Sequence, residues 1–142
     1  MLRRDPADMR GPKTLAEWIE VYARRAGDDV HFQLEEGEHV YYHPERGFFT
    51  WLVCENHPWI SIPKMCGDGR FMRGLVCNLL EAAKAYGIEA ALCCSRRRPA
   101  VWLKVHGGRL HHVEYTRNLN TGNVEPLYFY LMRPEGYGRR DK

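Results

Sequence analysis

Lys64-Met65-Cys66-Gly67-Asp68-Gly69-Arg70 lies between a strand-like run, Trp59-Ile60-Ser61-Ile62, and the longest helical pattern in the chain. After it, Phe71, Met72, Leu75, Val76, Leu79, Leu80, Ala83 and Tyr86 mark one side of a helix from Arg70 to Tyr86, which Gly87 stops. Ile88-Glu89-Ala90-Ala91-Leu92-Cys93-Cys94 then reads as a short, mostly apolar central strand. Strand, helix and strand in this order make a β-α-β unit, whose crossover is expected to be right-handed. Two readings of the glycines stay open. Gly67 and Gly69 can let the backbone approach an anion at a helix start, where free N–H groups and the positive end of the dipole meet. They can equally serve a tight strand-to-helix turn.

Working outward, Thr14 and Glu17 form a capping box for a helix over about 14–26, with Leu15, Trp18, Ile19, Tyr22, Ala23 and Ala26 on one stripe and Gly27 at its end. Val30–Leu34, His39–Tyr42, Phe48–Cys54 and Trp59–Ile62 are separated by turn-rich segments and describe an antiparallel meander. Downstream, Pro99 to His106 is expected as a helix with proline in its first turn and Gly107-Gly108 after it. Arg109 to Thr116 and Leu127 to Met132 are the last strands, joined by the loop 118–123. The expected architecture is α/β: a single domain with a mixed, mostly antiparallel sheet and helices on both faces. It occupies residues 13–132, between a polar N-terminal arm at 1–12 and a polar tail at 133–142.

The chain has 142 residues, enough for one core. Its 44% hydrophobic and 27% charged content is that of a globular protein. A net charge of +3 falls well short of a dedicated DNA-binding domain. Five cysteines, with no Cys-x-x-Cys among them, point to reduced thiols in the cytoplasm and to no zinc ribbon. No apolar run is long enough to suggest a membrane span, and no secretory signal is evident. Seven histidines raise the question of a metal, but no metal site is expected. His111 and His112 are adjacent on a strand and should face opposite sides.

Lys64-x-x-Gly67-x-Gly69 and the helix after it resemble the phosphate loop of the GNAT family of N-acetyltransferases. That family's pattern is Gln/Arg-x-x-Gly-x-Gly/Ala, at the end of a strand and the start of a long helix. The segments 79–88 and 100–108 also look like the family's helix–glycine–strand and closing helix. The resemblance spans about residues 14–132, with its specific part at 64–108. It implies a GNAT fold, with Trp59–Ile62 splayed from Ile88–Cys94 to open a V-shaped cleft. It also implies acetyl-CoA as cofactor, held by Lys64, Cys66, Gly67, Asp68, Gly69 and Arg70, and transfer of an acetyl group to an amine.

Three positions depart from the family's pattern. Ser95-Arg96-Arg97-Arg98 stands where an asparagine is often found, Lys104 where many members carry a tyrosine acid, and Asp68 puts a negative charge in the phosphate loop. The catalytic candidates are then Glu55 as proton acceptor, in the turn before Trp59, and Tyr115 as donor. These departures imply slow or absent transfer. They also leave an alternative, in which a degenerate phage-type member serves as a non-catalytic structural or virion-associated component in a bacteriophage or its host's cytoplasm. Protein partners would then be held through both terminal arms. The basic run 96–98 leaves a coenzyme phosphate, nucleic acid or an acidic partner open as ligand.

Overall fold

The computed structural model describes residues 11–26 and 34–133. The expected strand at Val30, the helix stop at Gly27 and nearly all of both terminal arms lie outside the described residues. The chain runs α1 (Leu15–Ala26), β1 (His39–His43), β2 (Gly47–Val53), β3 (Trp59–Ile62), β4 (Met65–Gly67), α2 (Gly69–Ala83), β5 (Ala90–Ser95), α3 (Pro99–His106), β6 (Arg109–Arg117) and β7 (Val124–Met132). The seven strands form one sheet in the order β1-β2-β3-β5-β7-β6, with β4 paired to β2 alone. All pairings are antiparallel except β3 with β5, which run parallel as the β-α-β reading requires.

Alternating side chains divide the core in two. Phe49, Ile60, Ile62, Ala91, Cys93, Tyr130 and Met132 point to the face covered by α2 and α3, where Met72, Val76, Leu80 and Trp102 pack on them. Phe48 and Cys66 point to the other face and meet Trp18, Val21 and Tyr22 of α1. Helices therefore lie on both faces. The capping box at α1 forms as read: the Glu17 amide donates to Thr14 Oγ1 at 3.1 Å and the Thr14 amide to Glu17 Oε1 at 2.8 Å.

The break in the sheet that builds the site falls after the run expected to carry it. Trp59–Ile62 does not splay from β5; Trp59 pairs with Ala90 and Ile62 with Cys93. Parting begins at Pro63. Leu52 faces Ser61, yet the Thr50 amide donates to the Lys64 carbonyl at 3.0 Å. The strand opposite β2 therefore carries one extra residue, a bulge. Pro63 has no N–H with which to continue the ladder to β5. Beyond it β4 follows β2 only, pairing Met65 with Phe49, Cys66 with Phe48 and Gly67 with Gly47.

β7 begins three residues earlier than expected, because Pro126 is tolerated in a strand there. Its partner Tyr115 lies on β6, and β5 reaches only to Tyr128. The missing N–H faces the empty side, where Arg96 donates to the carbonyls of Glu125 and Pro126, both at 3.4 Å.

Candidate active site between β4 and β5

The carboxyl ends of parallel β3 and β5, with a helix starting beside one of them, are where open α/β sheets place ligands. Thr50 and Lys64 form a hydrogen-bonded antiparallel pair, so the neighbouring Met65–Phe49 and Gly67–Gly47 pairs are non-hydrogen-bonded. The N–H and C=O groups of Met65 and Gly67 therefore turn away from β2, into the gap toward β5. Across the point of parting, the Cys94 thiol lies 3.8 Å from the Pro63 carbonyl. The gap thus offers backbone donors and acceptors to an extended ligand that carries amides.

The phosphate-loop residues behave differently from a bare anion cradle. Asp68 is the N-cap of α2, and its Oδ1 accepts from the amides of Arg70 at 3.1 Å and Phe71 at 3.2 Å. Its Oδ2 pairs with Arg46 at 2.7 Å. Burial would raise its carboxyl, but the Phe71 amide and Arg46 outweigh that and hold it below the usual carboxylate range. The Asp68 amide is spent on the Arg46 carbonyl at 2.8 Å. Gly67, at φ 131, is required by the chain itself: a side chain there would drive into the backbone of Arg46 and Gly47. Gly69 has ordinary helical geometry. Lys64 is also engaged. Its Nζ lies 2.8 Å from Glu38, whose side chain is fully buried. Burial pushes the Glu38 carboxyl up, but the bond from Lys64 and its positive charge help to bring it below its ordinary value.

Glu55 and Tyr115 are not brought together. Glu55 follows β2 at the end of the sheet where Trp59 meets Ala90, whereas Tyr115 pairs with Pro126 toward the opposite end. Tyr115 is 70% exposed. At about 3.3 Å per residue and 4.8 Å per strand the two side chains lie too far apart to flank one acyl carbon. Glu55 has another setting. It lines a cavity of about 650 Å³ with Glu35, Glu36, Gly37, Leu52, Val53, Cys54 and Ser61. Ser61 alternates with Ile60 and Ile62, so this cavity lies on the face opposite α2.

The basic run separates into different roles. Arg96 is a structural clamp, donating to Thr116 Oγ1 at 2.9 Å and to the α1 carbonyl of Ala26 at 3.2 Å. Arg97 is half-buried, and loss of water lowers its pKa. Beside it is His106, which sequence reasoning did not single out. His106 is buried at the end of α3, stacked on Trp102 with ring centroids 4.1 Å apart. A side-chain carbon built on Gly69 would lie 3.7 Å from its ring. Burial, then Arg73 and Arg97, lower its pKa to about 4. The only sequence signals were the i, i+4 spacing of Trp102 and His106 and the glycines that follow.

One expectation about the histidines is corrected. A bulge between Leu110 and His112 breaks the alternation of β6, and the Nδ1 atoms of His111 and His112 lie 2.7 Å apart. His112 continues to Glu114 at 3.1 Å. Among the described residues, no three His, Cys, Asp or Glu side chains converge on a metal position. No helix among them is long and apolar enough to cross a membrane. All five cysteines are free thiols.

No family model matches the sequence, and no curated protein matches it. Solved structures do match the fold. One crystal structure, provisionally assigned as an acetyltransferase, superposes with a TM-score of 0.55 at 16% identity, covering 88% of this chain and 85% of that one. A Bacillus subtilis acetyltransferase in complex with CoA gives 0.49 at 12% identity, covering 69% of this chain and 78% of that one. An IAA acetyltransferase from Bacillus cereus gives 0.47 at 14% identity, with 62% and 69% covered. The first likeness shows that this chain shares the fold of that structure, and the parted β4 and β5 agree with the GNAT-like architecture expected from the sequence.

Proposed function

We propose that the chain binds an acyl-CoA thioester in the gap between β4 and β5 and passes the acyl group to a cationic amine. The observation that carries this reading is the gap itself. Met65 and Gly67 present backbone groups to a ligand, and the pantetheine arm of CoA is an extended chain with amides of matching type. Acetyl-CoA is the simplest such thioester, and a CoA complex among the solved structures of this fold is consistent with it.

The acidic cavity on the opposite face suits the acceptor. Glu35, Glu36 and Glu55 there favour a cationic amine, and in this reading Glu55 takes its proton through water before attack on the thioester carbonyl. The nitrogen forms a bond to the acyl carbon, the carbon–sulfur bond breaks, and the leaving thiolate takes up the second proton that the nitrogen gives up. Calorimetry with acetyl-CoA, followed by thiol release in the presence of a diamine, tests both halves. Saturable binding with turnover that falls at least tenfold in Glu55→Gln is expected. Absence of binding refutes the reading.

A second reading is favoured by Asp68. Its carboxylate already fills the α2 amides, as in a fold kept for contacts with other proteins rather than for catalysis. Binding of acetyl-CoA without thiol release from any amine would decide for it. The segments proposed to carry such contacts, 1–12 and 133–142, lie almost wholly outside the described residues.

A further inference from the structure

The outermost strand, β6, carries a feature that acyl transfer does not use. In a regular strand His111 and His112 would face opposite sides. The bulge between Leu110 and His112 breaks that alternation, and their Nδ1 atoms lie 2.7 Å apart. Aromatic contacts hold both rings. His112 lies flat on Phe129, with centroids 4.3 Å apart and planes 6° apart. His111 meets Trp59 edge to face at 5.3 Å, and His57 stacks on Trp59 at 4.3 Å.

The partners decide which nitrogen carries a proton. His112 Nε2 lies 3.1 Å from Glu114 Oε2. A carboxylate only accepts, so Nε2 carries the hydrogen and the neutral His112 ring presents a bare lone pair at Nδ1. This is how a carboxylate orients a metal-binding imidazole. Loss of water, and then His112, Arg109 and His57, lower the pKa of His111, which favours its neutral ring. The Arg109 charge opposes a cation here, and the Glu114 carboxylate offsets it. His111 Nδ1 can give a proton to the lone pair of His112 or, in its other tautomer, join it in holding a metal ion. Two nitrogens about 2.0 Å from one ion and at right angles lie about 2.9 Å apart, whereas a tetrahedral pair needs about 3.3 Å. The separation of 2.7 Å is nearer the first, and His111 is exposed, so a small turn of its ring completes the fit.

We propose that His111 and His112 form a two-imidazole site for a divalent transition-metal ion of right-angled coordination, Ni(II) or Cu(II), with Glu114 positioning His112. Two protein ligands leave the ion's other positions open to water or an incoming ligand. Ions that demand oxygen ligands, such as Mg(II), do not suit it. The site stands apart from the gap between β4 and β5 and does not depend on the acyl-CoA reading.

The test is calorimetry on the full chain, free of any histidine tag, with Ni(II) and, separately, Mg(II). One Ni(II) per chain should bind, and Mg(II) should not. His111→Ala, at an exposed position, should weaken Ni(II) binding at least tenfold with an unchanged melting temperature. His112→Phe, which keeps a ring on Phe129 but no nitrogen, should weaken it as much. His39→Ala, on β1 at the other edge of the sheet, should leave the affinity within twofold. Glu114→Ala should cost about tenfold, and Glu114→Gln, whose side-chain oxygen still accepts from Nε2, less. No binding of Ni(II), binding unchanged in His111→Ala or His112→Phe, or an equal loss in His39→Ala overturns the proposal. Equal losses in the two Glu114 variants overturn the positioning role of Glu114.

Discussion

Gly67→Ala is expected to unfold the chain or destabilise it by about 3 kcal/mol or more. Gly67 and Gly47 face each other where β4 joins β2, with φ of 131 and 111. A Cβ on either would fall inside the carbonyl of the other strand's neighbour, Arg46 or Cys66. Neither neighbour is a flexible side-chain end, so the backbone itself must move. Releasing β4 would uncover Phe48 and Cys66 beneath α1 and displace the start of α2. Chemical denaturation of Gly67→Ala beside Gly69→Ala measures the contrast. Gly69 has room for a methyl group against His106, so its variant should lie within about 1 kcal/mol of wild type. Equal stability of the two variants would show that the close approach is not needed.

Acidification supplies the second large effect. His106 has a folded pKa of about 4 against 6.5 ordinarily, because burial and then Arg73 and Arg97 disfavour its charge. The unfolded state therefore binds a proton between these values that the folded state refuses. Stability falls as pH drops from 6.5 toward 4, by about 3 kcal/mol in total, and the loss is complete below the folded value. Glu38 and Asp68 have lowered values, so their stabilisation is present above their ordinary 4.5 and 3.8 and is lost only as pH falls further. The window from 6.5 to about 4.5 thus reports on His106 and also on His111, whose value loss of water and then His112 hold below the ordinary one. Melting temperatures across it should drop for wild type and drop less for His106→Gln. Parallel curves would mean that the imidazole titrates normally in the folded chain.

Much of the fold was legible because its signals are local. The Thr14–Glu17 box, Pro99 at the start of α3 and Gly87 after α2 each act within one turn of helix. β4 was not legible. Gly67 and Asp68 read as the end of a strand, and only pairing with Gly47, twenty positions earlier, makes Met65–Gly67 one. The site was hidden for the same reason. Lys64 and Asp68 sit where a phosphate loop would have them, but Glu38 and Arg46, distant in sequence, engage them. Three consecutive arginines look alike in sequence, and only Thr116, Ala26 and the Pro126 carbonyl separate the clamp Arg96 from Arg97. A bulge, invisible in a run of strand-forming residues, joins His111 to His112.

The central claim, an acyl-CoA held where β4 parts from β5, is tested most directly by titrating acetyl-CoA into the isotope-labelled chain and following backbone amide resonances. The account predicts saturable shifts concentrated at Pro63–Arg73 and Cys94–His106, with the Met65 and Gly67 amides among the largest. Shifts confined to β1 or to the outer strand β6, or none at millimolar acetyl-CoA, would contradict it.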